Sequence, residues 1–212
     1  MKNIKLILSA FAAMFILSCT STQIISSYKN EKAPATDYKK ILVFGIFPQK
    51  ERGLRQETEN RLATRLKDMG YNALTAMDEY GPKAFEKIEE AKLTEMVKSG
   101  GYDAIITTAL LDTKDDQVYQ QGTVRYQPVG ETYDRFGRYS STIYSRVYEP
   151  GYYTTSTNYV LETNLYNVNT GKLIYSVQTK VNNPSSAGSL ASDNSKQIVK
   201  DLKEKGVLIK KS

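Results

Sequence analysis

The sequence predicts an α/β (α+β) fold with a single mixed sheet and the element order β-α-β-α-β-β-β-α-(β). Short apolar runs alternate with helical repeats between residues 40 and 110, a pattern that calls for parallel strands joined by right-handed crossovers. From Asp112 onward the apolar period changes to two, which is typical of half-buried antiparallel strands. The 212 residues, 40% of them hydrophobic and 25% charged, are enough for one globular domain of ordinary size.

The first half of the chain predicts three strands and two helical segments. Residues 40–47 form an apolar run closed by Pro48, as expected of a strand buried on both faces. Apolar residues recur at helical spacing from Leu54 to Met69, and Gly70 is placed to end that helix. A second strand over 71–77, a helical segment over 82–99 that is one bent helix or two short ones, and a third strand over 102–110 follow.

The second half predicts antiparallel strands and one helix. Residues 158–168 and 173–181 are two strands, and Asn169-Thr170-Gly171 between them supplies a hairpin turn in which glycine accepts a positive φ. Residues 118–126 are a further strand candidate, and residues 127–157 are an insertion that forms a long hairpin or a loop. After a loop at 184–189, a helix capped by Ser192 or Asp193 ends at Gly206, and residues 207–209 are the bracketed edge strand.

The amino terminus has the pattern of an export signal. Lys2 and Lys5 precede an apolar stretch over residues 6–17 that is too short to span a bilayer with ease. Ile16-Leu17-Ser18-Cys19 then resembles a bacterial lipobox, although Leu17 stands where a smaller residue is commoner. The resemblance implies that residues 1–18 are a signal peptide, that Cys19 carries a diacylglycerol, and that its new amino group is acylated, as with palmitate. The alternative is a plain secretory signal in which Cys19 is incidental.

Localisation and tethering follow from the residues after Cys19. In proteobacterial lipoproteins an Asp at the next position retains the protein in the inner membrane, so Thr20 implies a lipid-anchored outer-membrane protein. Residues 20–24 contain no acidic run of the kind linked to surface export, which favours the periplasmic face. Residues 19–37 are predicted to be the lipidated Cys and a flexible tether, because the segment is rich in Ser, Thr, Lys and Ala and shows no sustained period. A strand beginning at Ile24-Ile25 is the alternative. A single domain then covers 38–212, with the insertion at about 117–158.

The order of elements also resembles a group of proteins. Strand–helix–strand–helix ending in GGYDAII (100–106), followed by NTGKLIYS (169–176), is similar to small bacterial envelope lipoproteins. These are related in fold to the TolB amino-terminal domain, to penicillin-binding-protein activator lipoproteins and to the curli secretion lipoprotein. The similarity covers about 40–110 and 159–181. It implies a binding or assembly module, and no catalytic residues are carried over; the long tyrosine-rich insertion departs from the group.

Composition argues against several classes of function. One Cys and no His leave too few ligands for a zinc site and no imidazole for acid–base catalysis, so no metal and no cofactor beyond the lipid is predicted. The net charge of +6 includes Lys2 and Lys5 of the signal and shows no long basic run, which disfavours nucleic acid as a partner. Asp112, Asp115 and Asp116 lack the spacing of a calcium loop and are interpreted as a solvated turn.

The insertion carries the candidate binding residues. Ten of the sixteen tyrosines lie between Tyr119 and Tyr166, with four arginines interleaved. Tyr and Arg are enriched at binding hot spots, so the insertion is predicted to bind another envelope protein. The candidates are Tyr126, Tyr133, Tyr139, Tyr144, Tyr148, Tyr152, Tyr153, Arg135, Arg138 and Arg146. The alternatives are a glycan or cell-wall surface that uses ring stacking, strands whose tyrosines simply reach water, and an enzyme with an unrecognised carboxylate or hydroxyl site.

Overall fold

A computed structural model describes residues 22–32, 36–83, 90–133 and 139–211, which contain eight strands and four α-helices. The first elements are β1 (Thr22–Lys29), β2 (Lys40–Ile46), a 3-10 turn (Gln49–Glu51), α1 (Arg52–Asp68), β3 (Asn72–Thr75), α2 (Ala76–Tyr80) and α3 (Glu90–Ser99). The remaining ones are β4 (Ala104–Gln120), β5 (Thr123–Tyr133), β6 (Tyr139–Glu149), β7 (Tyr152–Asn167), β8 (Leu173–Asn182) and α4 (Ala187–Glu204). The predicted α+β class is confirmed.

Six strands form one mixed sheet in the order β1-β8-β7-β4-β2-β3, and β5 and β6 form a separate two-stranded sheet. β2 runs parallel to both β3 and β4, whereas β8 is antiparallel to β1 and β7. The parallel pairs are those joined through helices, and the β7–β8 pair is joined by a tight hairpin. Gly171 in that hairpin has φ +66°, as its predicted turn requires.

The central strand β2 is buried on both faces, as its apolar run predicts. Ile41 and Val43 pack in one cluster with side chains of α1 and α4. Leu42 and Phe44 point to the opposite face and pack with Val97 of α3. Helices therefore cover both faces of β2, which is the usual environment of a parallel strand.

The chain divides into two compact units. The first, here called the sheet unit, contains the described residues up to Lys114 and from Asn158 onward. The second, the tyrosine-rich unit, covers residues 115–157 and contains β5 and β6 with the end of β4 and the start of β7. Its boundaries lie within two residues of the insertion at about 117–158, although the chain from residue 38 onward was expected to form one domain.

Residues 22–29 form a strand, so the predicted tether is wrong over this stretch. β1 pairs antiparallel with β8 at the end of the sheet. Ser27 Oγ donates a hydrogen bond to Asp201 Oδ2 on α4, and the Tyr175 hydroxyl donates to the same oxygen at 2.7 Å. Partners about 150 residues away in the sequence order this segment. A strand through Ile24-Ile25, the alternative interpretation, is what the structure shows.

The strand boundaries near the insertion also differ from the prediction. β4 continues to Gln120, so Asp112, Asp115 and Asp116 lie inside a strand and not in a turn. The predicted strand over 118–126 is the end of β4, a turn at Gln121-Gly122 and the start of β5. The described side chains at 111–117 are mostly exposed, and a strand with no buried face shows no alternation of apolar and polar residues.

Helix ends were misplaced where the capping residue is a hydroxyl side chain. The predicted strand over 71–77 stops at Thr75, whose Oγ1 accepts a hydrogen bond from Asp78 N at 3.1 Å and starts α2. Ser186, and not Ser192 or Asp193, caps α4, because Ser186 and Ser189 bond each other's backbone amides reciprocally. Part of the predicted loop at 184–189 is therefore helical.

Residues 205–211, which follow α4, do not form the predicted edge strand. Gly206, with φ +62°, follows α4 as expected of a residue that ends a helix. Residues 207–209 are not in a strand. The Tyr71 hydroxyl instead donates to Ile209 O at 2.8 Å and accepts from Ile209 N at 3.1 Å.

Several predictions lie outside the described residues: the signal peptide at 1–18, Cys19, residues 84–89 of the bent helical segment, Arg135 and Arg138. In the part of the chain that the structure does describe, no helix has both the length and the apolar character needed to cross a bilayer.

Candidate functional site

The tyrosine-rich unit is built on an antiparallel hairpin. The ladder of β5 and β6 runs from Thr123 opposite Glu149 to Tyr133 opposite Tyr139, and its register shifts just after Pro128. Proline has no amide hydrogen to donate, so a position on an edge strand beside an irregularity suits it. Both strands of a two-stranded sheet have an edge that exposes backbone donors and acceptors.

Two glycines allow the connections at the base of the hairpin to lie close together. A Cβ atom on Gly122 would lie 2.7 Å from Gly151 N, and one on Gly151 would collide with the Tyr119 hydroxyl. Real side chains do not make such close approaches. The β4–β5 and β6–β7 turns therefore pack backbone against backbone, with the ring of Tyr119 beside them.

Four tyrosines of this unit are more than half exposed: Tyr119 at 53%, Tyr148 at 66%, Tyr152 at 62% and Tyr153 at 69%. The rings of Tyr119 and Tyr153 are tilted at 52° with centroids 5.0 Å apart, a favourable geometry for aromatic pairs. Val124 lies directly opposite Tyr148 in the ladder and is 38% exposed. The unit therefore presents apolar area to solvent in neighbouring positions.

None of the side chains that the structure describes between residues 115 and 157 is buried. In the sheet unit, by contrast, three clusters of buried side chains form the core. A two-stranded hairpin alone is marginally stable in water, and three or more strands or a covering layer are normally needed. An exposed aromatic surface on such a unit is the kind of surface that a binding partner covers.

Charged groups accompany these aromatic side chains. Arg125 Nε lies 3.3 Å from Glu149 Oε1, and both side chains are largely exposed, so the pair contributes little to stability. Thr123 Oγ1 donates to the other oxygen of Glu149 at 3.1 Å. Arg146 is exposed and lies opposite Tyr126 in the ladder. An arginine beside tyrosines on an accessible strand is a typical composition for a protein-binding surface.

The structure places the ten predicted binding residues as follows. The side chains of Tyr148, Tyr152, Tyr153 and Arg146 are described, and all four are exposed. For Tyr126, Tyr133, Tyr139 and Tyr144 the strand positions alone are described, and Arg135 and Arg138 lie outside the described residues. Tyr119 was not among the predicted binding residues. Its ring contact with Tyr153 places it on the same surface.

Tyrosines of the sheet unit have a different environment. Tyr38, Tyr71, Tyr102 and Tyr175 are buried, and burial raises the pKa of each phenol. Hydrogen bonds to Glu79 and Asp201 further raise the pKa of Tyr102 and Tyr175, respectively. These four tyrosines lie outside the insertion and serve the core of the sheet unit, so their burial does not test how the tyrosines of the insertion are used.

The two buried carboxylates of the sheet unit hold elements together. Glu59 Oε1 accepts from Gly45 N and from Arg55 Nε, each at 2.9 Å, and Glu59 Oε2 accepts from Met77 N at 2.9 Å. Glu59 thereby ties α1 to the end of β2 and to the start of α2. Asp201 accepts hydrogen bonds from Ser27 of β1 and from Tyr175 of β8. The described residues contain no group of three or more Cys, His, Asp or Glu side chains that would hold a metal.

The sheet unit also contains clefts of different character. One of about 190 Å³ is lined mainly by apolar side chains of α3, β4 and β7, among them Leu93, Val97 and Ile105. Another, of about 480 Å³ between α1 and α4, is lined by five Lys and Arg side chains with Asp68 and Glu204. A third, smaller cavity lies at the carboxyl end of β2.

No protein-family model matches the chain, and no curated protein sequence matches it. The resemblance to the envelope lipoproteins therefore remains one of sequence pattern.

Solved structures that align with the chain include one protein described as a lipoprotein. The PelC dodecamer from Paraburkholderia phytofirmans is 14% identical with a TM-score of 0.48, over 85% of this chain and 96% of that one. Lipoprotein GNA1162 from Neisseria meningitidis is 14% identical with a TM-score of 0.41, over 78% of this chain and 99% of that one. A PDZ domain protein from Parabacteroides distasonis is 12% identical with a TM-score of 0.36, over 87% and 37%. Similarities at this level transfer neither an activity nor an assembly to this chain.

Proposed function

We propose that this chain is a non-enzymatic lipoprotein of the bacterial cell envelope whose tyrosine-rich unit binds another envelope protein. The proposed anchor is a lipid on Cys19, and the proposed location is the periplasmic side of the outer membrane. The observation that carries the proposal is the exposed aromatic surface of a unit in which no described side chain is buried.

A protein partner suits this surface for three physical reasons. Covering apolar area contributes about 25 cal/mol for each Å² removed from water, and the exposed rings of Tyr148, Tyr152 and Tyr153 offer such area. Tyrosine side chains lose little conformational entropy on binding because they have only two rotatable bonds. The edges of β5 and β6 offer backbone donors and acceptors to which a partner strand can add.

The two buried carboxylates support a binding role over a catalytic one. Glu59 accepts three hydrogen bonds and Asp201 accepts two, and all but the one from Arg55, on the same helix as Glu59, join different elements of the fold. A carboxylate engaged in this way holds the structure together.

The position of β1 changes how the proposed anchor would act. β1 begins at Thr22, three residues after Cys19, and three residues span at most about 10 Å. A lipid on Cys19 would therefore hold the first residue of β1 near the membrane surface and not at the end of a long tether. Confinement to the membrane raises the effective concentration of the domain for partners in the same membrane.

The experiment is crosslinking in living cells followed by mass spectrometry, with four forms of the full-length protein. These are the wild type, Cys19→Ala, the combined variant Tyr148→Ser, Tyr152→Ser and Tyr153→Ser, and the control Tyr28→Ser. Tyr28 lies on β1 of the sheet unit and is 52% exposed, so its replacement removes a similar exposed ring elsewhere. We expect one specific envelope protein to be captured by the wild type and the control and lost from the other two forms.

Other outcomes would contradict parts of the proposal. Capture of the same protein by the combined tyrosine variant would exclude this surface as the binding site. Capture that survives Cys19→Ala would remove the anchor from the mechanism. Recovery of cell-wall fragments alone, lost in the tyrosine variant, would replace the protein partner with a glycan.

A further inference from the structure

We infer that the sheet unit contains a binding site for a phosphate group at the carboxyl end of β2, separate from the tyrosine-rich unit. A cavity of about 80 Å³ lies there, and Phe47, Gln49, Arg52, Arg55, Pro82 and Lys83 line it. β2 is parallel to its neighbours on both sides, and proteins with parallel sheets bind ligands in crevices outside the carboxyl ends of the strands. Two features of the cavity point to an anion.

The first feature is an incompletely bonded guanidinium. Arg55 Nε donates to Glu59 Oε1 at 2.9 Å, Nη1 donates to Pro82 O at 3.2 Å, and the group lies 5.5 Å from the centroid of the Phe44 ring. The side chain is 12% exposed, and its Nη2 is buried without a hydrogen-bond partner. A buried charged donor without an acceptor is costly, so an acceptor oxygen that reached Nη2 from the cavity would stabilise the protein.

The second feature is the charge around the cavity. Glu59 balances the charge of Arg55, and among the described residues that line the cavity there is no Asp or Glu. Arg52 and Lys83 therefore leave two positive charges, which match the two negative charges of a phosphate group near neutral pH.

The start of α1 increases the preference for an anion. Arg52 is the first residue of this helix, Arg55 follows three residues later, and the first turn contains no acidic residue. Glu51 precedes the helix but makes no side-chain hydrogen bond to it. The helix dipole is positive at this end, so it adds to the attraction of Arg52 for an anion.

The size of the cavity restricts the ligand to a small group. A volume of about 80 Å³ admits a few water molecules or one oxyanion, whereas a nucleoside or a sugar ring would remain outside. Arginine donors match the oxygens of phosphate in geometry, and a lysine adds a point charge. The phosphate belongs either to a small soluble molecule or to the headgroup of a phospholipid.

The test titrates inorganic phosphate into the full-length protein by calorimetry at constant ionic strength. We expect saturable binding at one site, weakened at least about tenfold in both Arg52→Gln and Lys83→Gln, because each removes a charge-assisted contact. Both side chains are exposed, so the fold should tolerate these changes. Arg61→Gln is the matched control, since Arg61 lies on the same helix with its side chain 54% exposed beside Glu57.

Two results would overturn the inference. If millimolar phosphate gives no saturable heat, Arg55 is a structural residue whose free donor bonds to water. If Arg61→Gln weakens binding as much as Lys83→Gln, the effect is one of overall charge. The variant with three tyrosines replaced by serine should bind phosphate like the wild type, so failure of this site and failure of the proposed function are distinguishable.

The source of the phosphate is decided with vesicles and the Cys19→Ala form, which removes the lipid. Stronger binding to phosphatidic acid than to phosphatidylcholine, lost in Lys83→Gln and reversed by inorganic phosphate, would identify a lipid headgroup. Phosphate binding without any difference between the vesicles would identify a soluble phosphate compound.

Discussion

Tyrosine serves opposite purposes in the two units of this protein. In the sheet unit, Tyr38 and Tyr175 are 1% and 0% exposed. In the tyrosine-rich unit, Tyr148 and Tyr153 expose 66% and 69% of their surface. α4 packs over the sheet and supplies Asp201 as a partner for the Tyr175 hydroxyl. A run of tyrosines is therefore evidence for a binding surface only after burial is known, because the same residue satisfies both environments.

Removing a tyrosine side chain should produce the largest difference in stability between the two units. Tyr175→Ala should lower the free energy of unfolding by about 3–5 kcal/mol, because it opens a cavity and removes the hydroxyl that bonds to Asp201. Tyr148→Ala should change it by less than about 0.5 kcal/mol. Urea unfolding followed by circular dichroism measures both. Equal losses would mean that Tyr148 packs against the rest of the molecule.

Removing an ion pair should also destabilise the sheet unit more than the tyrosine-rich unit, with a somewhat smaller loss of stability than removing Tyr175. Glu59 is 1% exposed and paired with Arg55, so Glu59→Ala leaves a buried charge unpaired and should cost about 3 kcal/mol. Glu149→Ala removes an exposed pair with Arg125 and should cost at most about 1 kcal/mol. The same unfolding measurement compares them. A small loss for Glu59→Ala would show that water replaces its hydrogen bonds.

Alkaline pH should weaken the sheet unit. Burial raises the pKa of Tyr175 above its ordinary value of 10.0, so the unfolded chain releases this phenolic proton first. Stability contributed by the neutral phenol is complete below about pH 10 and is lost as the pH rises further. The urea midpoint should fall as the pH rises above about 10, and less steeply in Tyr175→Phe. Identical slopes for the two proteins would contradict the assignment to Tyr175.

The smallest effect on stability is expected for the three exposed tyrosines. The combined variant Tyr148→Ser, Tyr152→Ser and Tyr153→Ser should retain its melting temperature, because each ring is more than 60% exposed. Differential scanning calorimetry checks this. A large drop would show that the rings support the fold, and the binding proposal would then lose its residue-level support.

Much of the sheet unit could be predicted from local pattern. The apolar run of β2, the helical repeat of α1 and the turn at Gly171 each depend on residues close together in the sequence. Such signals survive without knowledge of the tertiary fold, since period and turn chemistry are properties of neighbouring residues.

Two of the errors have a common physical origin. β1 lacks alternation and is ordered by β8 and by Asp201, and the charged part of β4 has no buried face. Where a partner distant in the sequence stabilises a strand, the pattern of neighbouring residues does not predict it. The start of α4 is a different case, because Ser189 completes the capping box at Ser186 in place of the more usual Glu or Gln.

The candidate sites divide in the same way. The cluster of tyrosines and arginines was visible in the sequence, but the exposure of Tyr148, Tyr152 and Tyr153 was not. The cavity with Arg52, Arg55 and Lys83 gave no signal at all, because Lys83 comes after a helix, a strand and a second helix.

The sequence by itself determined the α+β class, the hairpin of β7 and β8 and the concentration of tyrosine in one segment, since these depend on composition and on periodicity between near neighbours. The tertiary structure decided that residues 22–29 join the sheet, which tyrosines are buried, and which cations meet at the end of β2. Each of these depends on a contact between residues far apart in the chain. Burial, charge and unmet hydrogen bonds arise only when such contacts form.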